Sequence, residues 1–358
     1  MIEMKALVVK PGNVGVQLKN VDLKVENKIK IKTLYNGICG TDREIVNNKL
    51  PFTRPEKGEE LILGHEALGV IEEVPENSNF KVGDVVAPMV RRPGNCLLCK
   101  IGRQDYCTDG NFVEAGIRGR DGFMREYFYE DEEFLISVDK EIGEIGALVE
   151  PTKNVMKMVE VFNHLKGRTI WDCADSTLNC KGAWVFGTGS EGVLSSLVFK
   201  SIGFEVTIVN RHPLPENIME IIKKNGIKFF DSSTNMWNEG IRENPMDLAI
   251  DAAGSADVFI QAIENINYNG IIIMFGTAGT GKIDNGTFIT KIVDKNLTIA
   301  GVEDGSKNHY IQAAKFLSEY GRKYSMDDLI TAKIKPEETW IFNEKPKDEI
   351  KSIIDWSL

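Results

Sequence analysis

The pattern of hydrophobic and polar positions divides the chain into regions of different character. Up to about residue 130 there are short runs rich in β-branched residues, separated by Gly, Pro, Asn and Asp, which is typical of strands joined by turns. The clearest runs are KALVVK, KIKIKTLYNG, LGVIEEV and DVVAPMV. This part of the chain is predicted to be β-rich.

Helical spacing appears after residue 140. In EIGEIGALVEPTKNVMKMVEVFNHL, apolar residues recur at i, i+3, i+4 and i+7, the period of an amphipathic helix. Near the C-terminus we interpret NHYIQAAKFLSEYG and PKDEIKSIIDW as two further helices, with the mixed segment KIKPEETWIF between them.

Between residues 181 and 304 the apolar runs are continuous rather than alternating. Six of them have the length of a strand: AWVFG, EVTIVN, KFFD, DLAIDAAG, GIIIMFG and LTIAG. Amphipathic pieces lie between several of these runs. Strands buried on both faces and alternating with helices predict a parallel, doubly wound sheet, so the fold class is α/β with a separate β-rich region.

Length and charge narrow the class of protein. A chain of 358 residues usually forms two domains or one large one. The formal net charge is −10, whereas nucleic-acid binders and binders of anionic membranes carry basic surfaces. No apolar run is long enough to span a membrane, and the N-terminus lacks the features of a signal peptide. We therefore expect a cytoplasmic protein that binds neither nucleic acid nor membrane.

A glycine-rich loop follows the first strand of the parallel region and opens a helix. It consists of Gly187, Thr188, Gly189, Ser190, Glu191 and Gly192. Gly187 permits the tight turn, Gly189 lets a pyrophosphate approach the backbone, and Gly192 lets the helix pack on the sheet. The flanking strand, helix and second strand make this motif specific for a dinucleotide. The Glu191 carboxylate is unusual beside a pyrophosphate, and its side chain is expected to point away.

The residues after the second strand indicate which dinucleotide binds. An NAD enzyme places Asp or Glu there to hold the ribose 2′-hydroxyl, but this chain has Asn210, Arg211 and His212. An Asn and an Arg accept a 2′-phosphate that a carboxylate would repel. The cofactor is predicted to be NADP, with NAD as a second choice.

Two constellations of residues suit metal ions. Cys39, His65 and Glu66 supply a thiolate, an imidazole and a carboxylate, which fits a catalytic zinc ion with one open position. Thr41 could relay a proton outward, and Glu150 is a further acidic candidate. Each residue alone also has a structural explanation, such as a core cysteine or a turn. Together, upstream of a dinucleotide-binding unit, they favour catalysis.

The second constellation is a cysteine loop with the spacing C-x2-C-x7-C. It contains Cys96, Cys99 and Cys107, whereas a closed structural zinc site has four ligands. The sequence leaves two alternatives open, a zinc loop with an unusual fourth ligand and a loop without zinc. Cys173 and Cys180 are scattered and are interpreted as structural, because six cysteines in a long chain do not indicate a disulfide framework.

These motifs resemble the zinc-dependent medium-chain dehydrogenases over essentially the whole chain. The resemblance rests on GICGTD, GHE, the GD before a strand, the cysteine loop and the C-terminal Rossmann unit. A narrower resemblance, to the archaeal glucose 1-dehydrogenases, rests on NGICGTDREIV, GRQDYC, EAGI, DGFMREY, DSTLNC and VNRH.

The resemblance implies a fold and a reaction. The expected fold is a GroES-like catalytic domain over residues 1–180, with a zinc lobe at about 91–115, then a Rossmann domain over 181–304 and a return to the catalytic domain over 305–358. The expected reaction is oxidation of D-glucose, and of D-galactose, at C1 to the lactone with transfer of hydride to NADP. The family is commonly homotetrameric.

The resemblance also implies roles for single residues. Cys39, His65 and Glu66 are the expected zinc ligands, with Glu150 beside the metal. The expected sugar contacts are Thr41, Glu114, Glu150, Asn154 and Asp304. The expected neighbours of the nicotinamide half are Phe275, Gly276, Thr277, Val302, Glu303 and Asp304.

The chain departs from the family at two places. The family's cysteine loop has one more Cys, here replaced within RRPGN. Asp109 is our choice for the fourth ligand, because zinc accepts carboxylate oxygen. Glu114 and Asp105 are the alternative fourth ligands. The remaining possibility is a loop of three free thiols without zinc. Glu44 stands where alcohol dehydrogenases continue the proton relay with His, so the exit of the proton stays open.

Two other functions compete with this prediction. One is a polyol or secondary-alcohol dehydrogenase of the same superfamily, against which Glu114 and Arg211 count. The other is an NADP-binding protein without catalysis. Such a protein should have lost its metal ligands, but Cys39, His65 and Glu66 are all present, and so is Thr41.

Overall fold

The computed structural model describes residues 2–50, 53, 60–276 and 285–358. The chain folds as two compact units, Met1–Lys153 with Gly305–Leu358 (unit 1) and Asn154–Asp304 (unit 2). Among the described residues, no helix combines the length and the apolarity that a membrane crossing requires.

Unit 1 is β-rich, as predicted. Its strands are β1 (Ile2–Val9), β2 (Gln17–Leu23), β3 (Ile29–Ile38), β4 (Leu61–Ile62), β5 (Glu66–Glu73), β6 (Val85–Pro88), β7 (Arg91–Arg92), β8 (Val113–Ala115), β9 (Gly119–Arg120), β10 (Tyr127–Glu130), β11 (Leu135–Val138), β18 (Ile330–Ile334) and β19 (Lys351–Asp355). Its helices are α1 (Gly40–Val46), α2 (Leu97–Lys100) and α9 (Lys307–Tyr320). α3 (Val149–Leu165) begins in unit 1 and continues into unit 2.

Three sheets form unit 1. The largest has the strand order β11-β6-β5-β3-β19-β18, with β10 also paired to β3; the smaller ones are β2-β1-β4 and β7-β8-β9. Apolar side chains from these strands form two large buried clusters, one of which includes Leu7, Leu63 and Ile354. β3 and β5 make the longest pairing of the large sheet, and the candidate metal ligands stand at its end.

Unit 2 is a doubly wound Rossmann sheet. Its strands are β12 (Gly182–Phe186), β13 (Glu205–Asn210), β14 (Lys228–Asp231), β15 (Leu248–Asp251), β16 (Ile271–Met274) and β17 (Thr298–Gly301). Its helices besides α3 are α4 (Ser190–Ser201), α5 (Glu216–Lys224), α6 (Trp237–Glu243), α7 (Ala256–Asn265) and α8 (Asn285–Asp294). All strands pair in parallel in the order β14-β13-β12-β15-β16-β17, which confirms the predicted α/β class.

The predicted last helix is wrong. Residues 351–355 form β19, which lies between β3 and β18 in the large sheet, with all five residues buried. Apolar side chains at Ile350, Ile353 and Ile354 satisfy the helical spacing as well as a short strand, so periodicity alone could not separate the two. Pairing on both edges of the strand decides the outcome.

The units divide the chain at a different place from the expected domains. The predicted Rossmann domain began at residue 181, whereas unit 2 begins at Asn154. The reason is packing, because Phe162 of α3 lies edge-on against Phe204 at 5.3 Å and against Phe199 at 6.3 Å. The second half of α3 therefore contributes to the core of unit 2.

Candidate active site

The three predicted catalytic zinc ligands come together in unit 1. Cys39 follows β3 and caps α1, while His65 and Glu66 stand at the start of β5. β3 and β5 pair with Gly37 opposite Glu66, and one ligand atom from each of the three residues lies within 4.8 Å of the others. A Cβ at Gly37 would lie 1.9 Å from Glu66 Oε2, so glycine leaves room for this carboxylate. Thiolate, imidazole and carboxylate in this arrangement fit a zinc ion.

Asp42 orients two of these ligands, and the sequence analysis did not single it out. This buried residue of α1 accepts a hydrogen bond from the Cys39 backbone N–H at 2.8 Å. Its other oxygen lies 3.2 Å from His65 Nδ1. Burial lowers the pKa of His65, but Asp42 and Cys39 more than offset this and hold the pKa well above its usual value. A carboxylate behind a histidine fixes the ring for a metal. The sequence does carry a signal for Asp42, because it lies three residues after Cys39, at the capping-box position of the helix.

Lys351 is the second residue that sequence reasoning missed. Its Nζ lies 2.7 and 2.8 Å from the two oxygens of Glu66, and both side chains are almost completely buried. Burial raises the pKa of Glu66, the Lys351 charge lowers it, and the Glu150 charge raises it, with a net increase. Lys351 thus balances a carboxylate that water does not reach. It was missed because it lies on β19, where the sequence predicted a helix.

The acidic candidate Glu150 also lies in a buried environment. It stands in the first turn of α3, with Oε1 3.1 Å from Nζ of the buried Lys153. Its charge is one of the causes that raise the pKa of Glu66. Thr41 is half-buried in α1, two residues beyond Cys39. Glu44, at the position of the missing relay histidine, is exposed.

Arg91 holds the predicted sugar ligand Glu114. The two residues face each other on β7 and β8, and Nε and Nη2 of Arg91 lie 3.1 and 2.8 Å from Glu114 Oε1. Arg91 is buried and stacks on Phe112 at 3.8 Å. The Glu114 carboxylate is therefore fixed in direction, which suits an acceptor for hydroxyl groups.

The cysteine loop forms the second cluster of unit 1. Ligand atoms of Cys96, Cys99 and Cys107 lie within 4.8 Å of one another. Asp109 Oδ1 lies 2.9 Å from Cys107 Sγ, while Asp105 is held by Arg103 through two contacts of 2.9 Å.

The thiols of this loop differ in acidity. Hydrogen bonds from the backbone of Thr108 and Cys99 lower the pKa of Cys96 to about 6. Burial and contacts with Cys107 and Cys96 raise the pKa of Cys99 to about 12. Without a metal, Cys96 thus loses its proton more easily than Cys99 does. Zinc binding requires deprotonation of the others.

The glycine loop of unit 2 has a backbone shape that suits a dinucleotide. Gly187 has φ +112°, and a Cβ there would lie 3.2 Å from Ala253 N. A Cβ at Gly192 would lie 2.1 Å from Gly187 O, whereas a Cβ at Gly189 would meet nothing within 4 Å. Gly187 and Gly192 are required by the fold, and the open space at Gly189 leaves the backbone accessible to a phosphate. Thr188 and Ser190 complete the turn into α4.

The Glu191 side chain is engaged by a neighbour on α3. Asn154 Nδ2 donates to Glu191 Oε1 at 3.3 Å. Asn154 Oδ1 is buried and has no hydrogen-bond partner among the described residues. The contact fixes the amide, so its oxygen is available to a hydroxyl group.

The predicted residues for the rest of the dinucleotide occupy two places in unit 2. Asn210, Arg211 and His212 line a pocket of about 310 Å³ beside Trp237. The other predicted cofactor residues lie after β16 and β17. Of these, Val302 and Asp304 are buried, Phe275 and Gly276 are half-buried, Glu303 is exposed, and Thr277 lies outside the described residues.

The scattered cysteines of unit 2 form a disulfide. Cys173 and Cys180 are bonded across seven positions, in a segment where Asp175 accepts hydrogen bonds from Thr177 and Asn179. The sequence analysis interpreted both cysteines only as structural, because their spacing did not indicate that they form a disulfide. Buried His309 caps α9, where its Nδ1 accepts the Ser306 N–H at 2.9 Å.

Comparison with known proteins agrees with this geometry. The profile "Alcohol dehydrogenase GroES-like domain" matches residues 25–140, and the profile "Glucose dehydrogenase C-terminus" matches residues 143–356. The glucose 1-dehydrogenase of Thermoplasma acidophilum is 42% identical, over 99% of this chain and 100% of that protein. The glucose 1-dehydrogenase of Metallosphaera sedula is 39% identical, over 99% of both chains.

A solved structure extends the comparison to three dimensions. The glucose dehydrogenase of Haloferax mediterranei, in complex with NADP, Zn and gluconolactone, is 26% identical. It covers 99% of this chain and 100% of its own, with a TM-score of 0.87. The fold is that of a zinc-dependent medium-chain dehydrogenase. Within that class, the chain belongs to the glucose dehydrogenase family.

Proposed function

We propose that this protein oxidises D-glucose, and also D-galactose, at C1 to the 1,5-lactone and passes the hydride to NADP. The observation that carries the proposal is the cluster of half-buried Cys39 with buried His65 and Glu66, in a chain of the glucose dehydrogenase family. The Haloferax complex with NADP, Zn and gluconolactone supports the same substrate, cofactor and metal.

The residues of unit 1 would hold zinc and the reacting end of the sugar. Cys39, His65 and Glu66 bind the metal, with His65 oriented by Asp42. A zinc ion held there supplies a Lewis acid that eases deprotonation of the C1 hydroxyl. The Thr41 hydroxyl would accept a hydrogen bond from this C1 hydroxyl and would be the first group on the path of its proton.

The remaining predicted residues would recognise the other hydroxyl groups. Glu114, fixed by Arg91, accepts hydrogen bonds from the sugar, and Glu150 does the same. Asn154 offers its buried Oδ1, and Asp304 is a further acceptor. An enzyme for simple alcohols would line this site with apolar side chains instead.

The glycine loop and the residues after β13 would bind the cofactor. The backbone at Gly189 and the N-terminus of α4 face the pyrophosphate, and Asn210 and Arg211 hold the 2′-phosphate. NADP held by these residues would supply the hydride acceptor, and their part would be to position it.

We also propose that the cysteine loop binds a structural zinc ion through Cys96, Cys99, Cys107 and Asp109. Asp105 is less suited because Arg103 occupies both of its oxygens, and Glu114 is held by Arg91. The homotetramer and the cytoplasmic location stay predictions, which light scattering on purified protein and cell fractionation would test.

The deciding experiment is formation of NADPH, followed by its absorbance, with D-glucose and NADP on zinc-replete protein. Rapid reduction supports the proposal. Activity confined to acyclic polyols or secondary alcohols would contradict the sugar roles of Glu114 and Asn154 while leaving the zinc and cofactor roles intact. Failure with all of these substrates would contradict catalysis itself.

A further inference from the structure

The arginine expected to bind the 2′-phosphate already has an acidic partner. Arg211 directly follows β13, and Asp257 is the second residue of α7. Arg211 Nη2 lies 2.8 Å from Asp257 Oδ2, and both residues line the 310 Å³ pocket together with Asn210 and His212. The ion pair is open to solvent, since 55% of the Arg211 side chain and 71% of the Asp257 side chain are exposed.

The other polar and charged groups near this pocket have partners other than Arg211. Asp231, opposite Asn210 on the neighbouring strand, is engaged by the N–H and the hydroxyl of Ser233 at 2.9 and 2.6 Å. The amide of Asn210 donates to the backbone oxygen of His212 at 3.1 Å. Among the described residues, Asp257 is the one acidic residue that lines the pocket, and it is in contact with Arg211.

A carboxylate in this position acts oppositely on the two dinucleotides. A 2′-phosphate carries close to two negative charges, so it must draw Arg211 away from Asp257 and also experiences repulsion from that carboxylate. A free 2′-hydroxyl has no charge, and a carboxylate can accept its hydrogen bond. NAD enzymes place such a carboxylate at the end of the second strand, where this chain has Asn210. Asp257 supplies the missing carboxylate from the opposite wall, on α7.

We infer that Asp257 determines the cofactor specificity of this protein by weakening NADP binding and supporting NAD binding. The test of this inference by kcat/KM rests on the proposed function, whereas the test by dinucleotide binding does not. The inference means that the protein uses both dinucleotides, and that Arg211 serves NADP only after exchanging its partner.

The test is the substitution Asp257→Asn, which removes the charge and keeps the shape of an exposed side chain. The value of kcat/KM with D-glucose is measured for NADP and for NAD, and the Kd of each dinucleotide is measured by quenching of protein fluorescence. We expect NADP to improve about five- to tenfold and NAD to weaken, so that the ratio of the two shifts at least about tenfold. The control Glu264→Gln removes another carboxylate of α7, paired with Lys291 at 2.7 Å and outside the pocket, and should leave the ratio unchanged.

A second variant shows whether Arg211 is the mediator. In an Arg211→Met background, Asp257→Asn should improve NADP much less than it does alone, because no cation is then released. The inference is overturned if Asp257→Asn leaves the ratio of Kd values within twofold of the control, or if NADP binding weakens. Binding measurements give this answer even when no sugar is oxidised, so a failure of the proposed function is distinguishable from a failure of this inference.

Discussion

The two candidate metal clusters of unit 1 differ in their donor atoms and in their surroundings. The cluster of Cys39, His65 and Glu66 depends on residues far apart in the chain, since Lys351 reaches Glu66 across 285 positions. The cysteine loop is local, because its cysteines and Asp109 lie within one short segment. The buried cluster has carboxylate and lysine partners around its ligands, whereas the loop is stabilised by backbone N–H groups. A catalytic zinc site needs neighbouring groups that orient its ligands, whereas a structural zinc site needs mainly a full set of four ligands. This requirement accounts for the different surroundings of the two clusters.

The largest expected effect separates the two clusters by function. Cys39→Ala should lower kcat/KM for glucose at least about a thousandfold, because Lewis-acid catalysis is lost. Cys96→Ala should retain most of the activity of folded protein and lower the thermal unfolding midpoint instead. Steady-state kinetics and calorimetry on both variants provide the measurement. An active Cys39→Ala enzyme would show that the buried cluster is not the catalytic one.

The next effect tests the buried charge balance. Lys351→Met leaves the Glu66 carboxylate buried without its partner, so the free energy of unfolding should fall by about 3–5 kcal/mol. Lys333→Met is the matched control on neighbouring β18, because Lys333 pairs with Glu144 at a partly exposed position and should change stability by less than about 1 kcal/mol. Urea unfolding of both variants measures the difference. Equal losses would mean that burial at Glu66 has no special cost.

A smaller effect is expected from the residue behind the ligands. Asp42→Asn should weaken binding of the catalytic zinc about 10–100-fold, because His65 loses the carboxylate that orients it. Glu44→Gln, an exposed substitution on the same helix, is the control and should not alter zinc affinity. Competition with a chelator measures both affinities. If the two variants behave alike, the orienting role of Asp42 is wrong.

The smallest effect concerns the fourth ligand of the loop. Asp109→Asn should weaken the structural zinc about tenfold and leave the kinetics with glucose unchanged. Asp105→Asn breaks an ion pair with Arg103 but should retain the metal. Zinc per chain after dialysis against a chelator distinguishes the variants. Loss of zinc from Asp105→Asn alone would show that Asp105, and not Asp109, is the fourth ligand.

Local patterns carried much of the prediction. The six strands of unit 2 were visible as continuous apolar runs, because a parallel sheet covered on both faces leaves no polar alternation. The candidate zinc ligands Cys39, His65 and Glu66 could be predicted because their residue types and short motifs are typical of metal sites. The glycine loop was visible because backbone shape at Gly187 and Gly192 excludes side chains.

Two of the residues that sequence reasoning missed, Lys351 and Arg91, act through contacts with other segments of the chain, whereas Asp42 lies only three residues after Cys39. Lys351 and Arg91 have ordinary surroundings in the sequence, and only strand pairing brings them to Glu66 and Glu114. The Cys173–Cys180 disulfide likewise needed the folded segment around it.

The sequence by itself determined the class of fold, the residue types of both metal clusters and the dinucleotide loop, since these follow from periodicity and local chemistry. The tertiary structure alone decided that residues 351–355 form a strand, that Lys351 neutralises Glu66, and that Asp257 faces Arg211. The physical reason is that burial and electrostatic interaction depend on distance in space. Distance in space is set by the pairing of strands and not by separation along the chain.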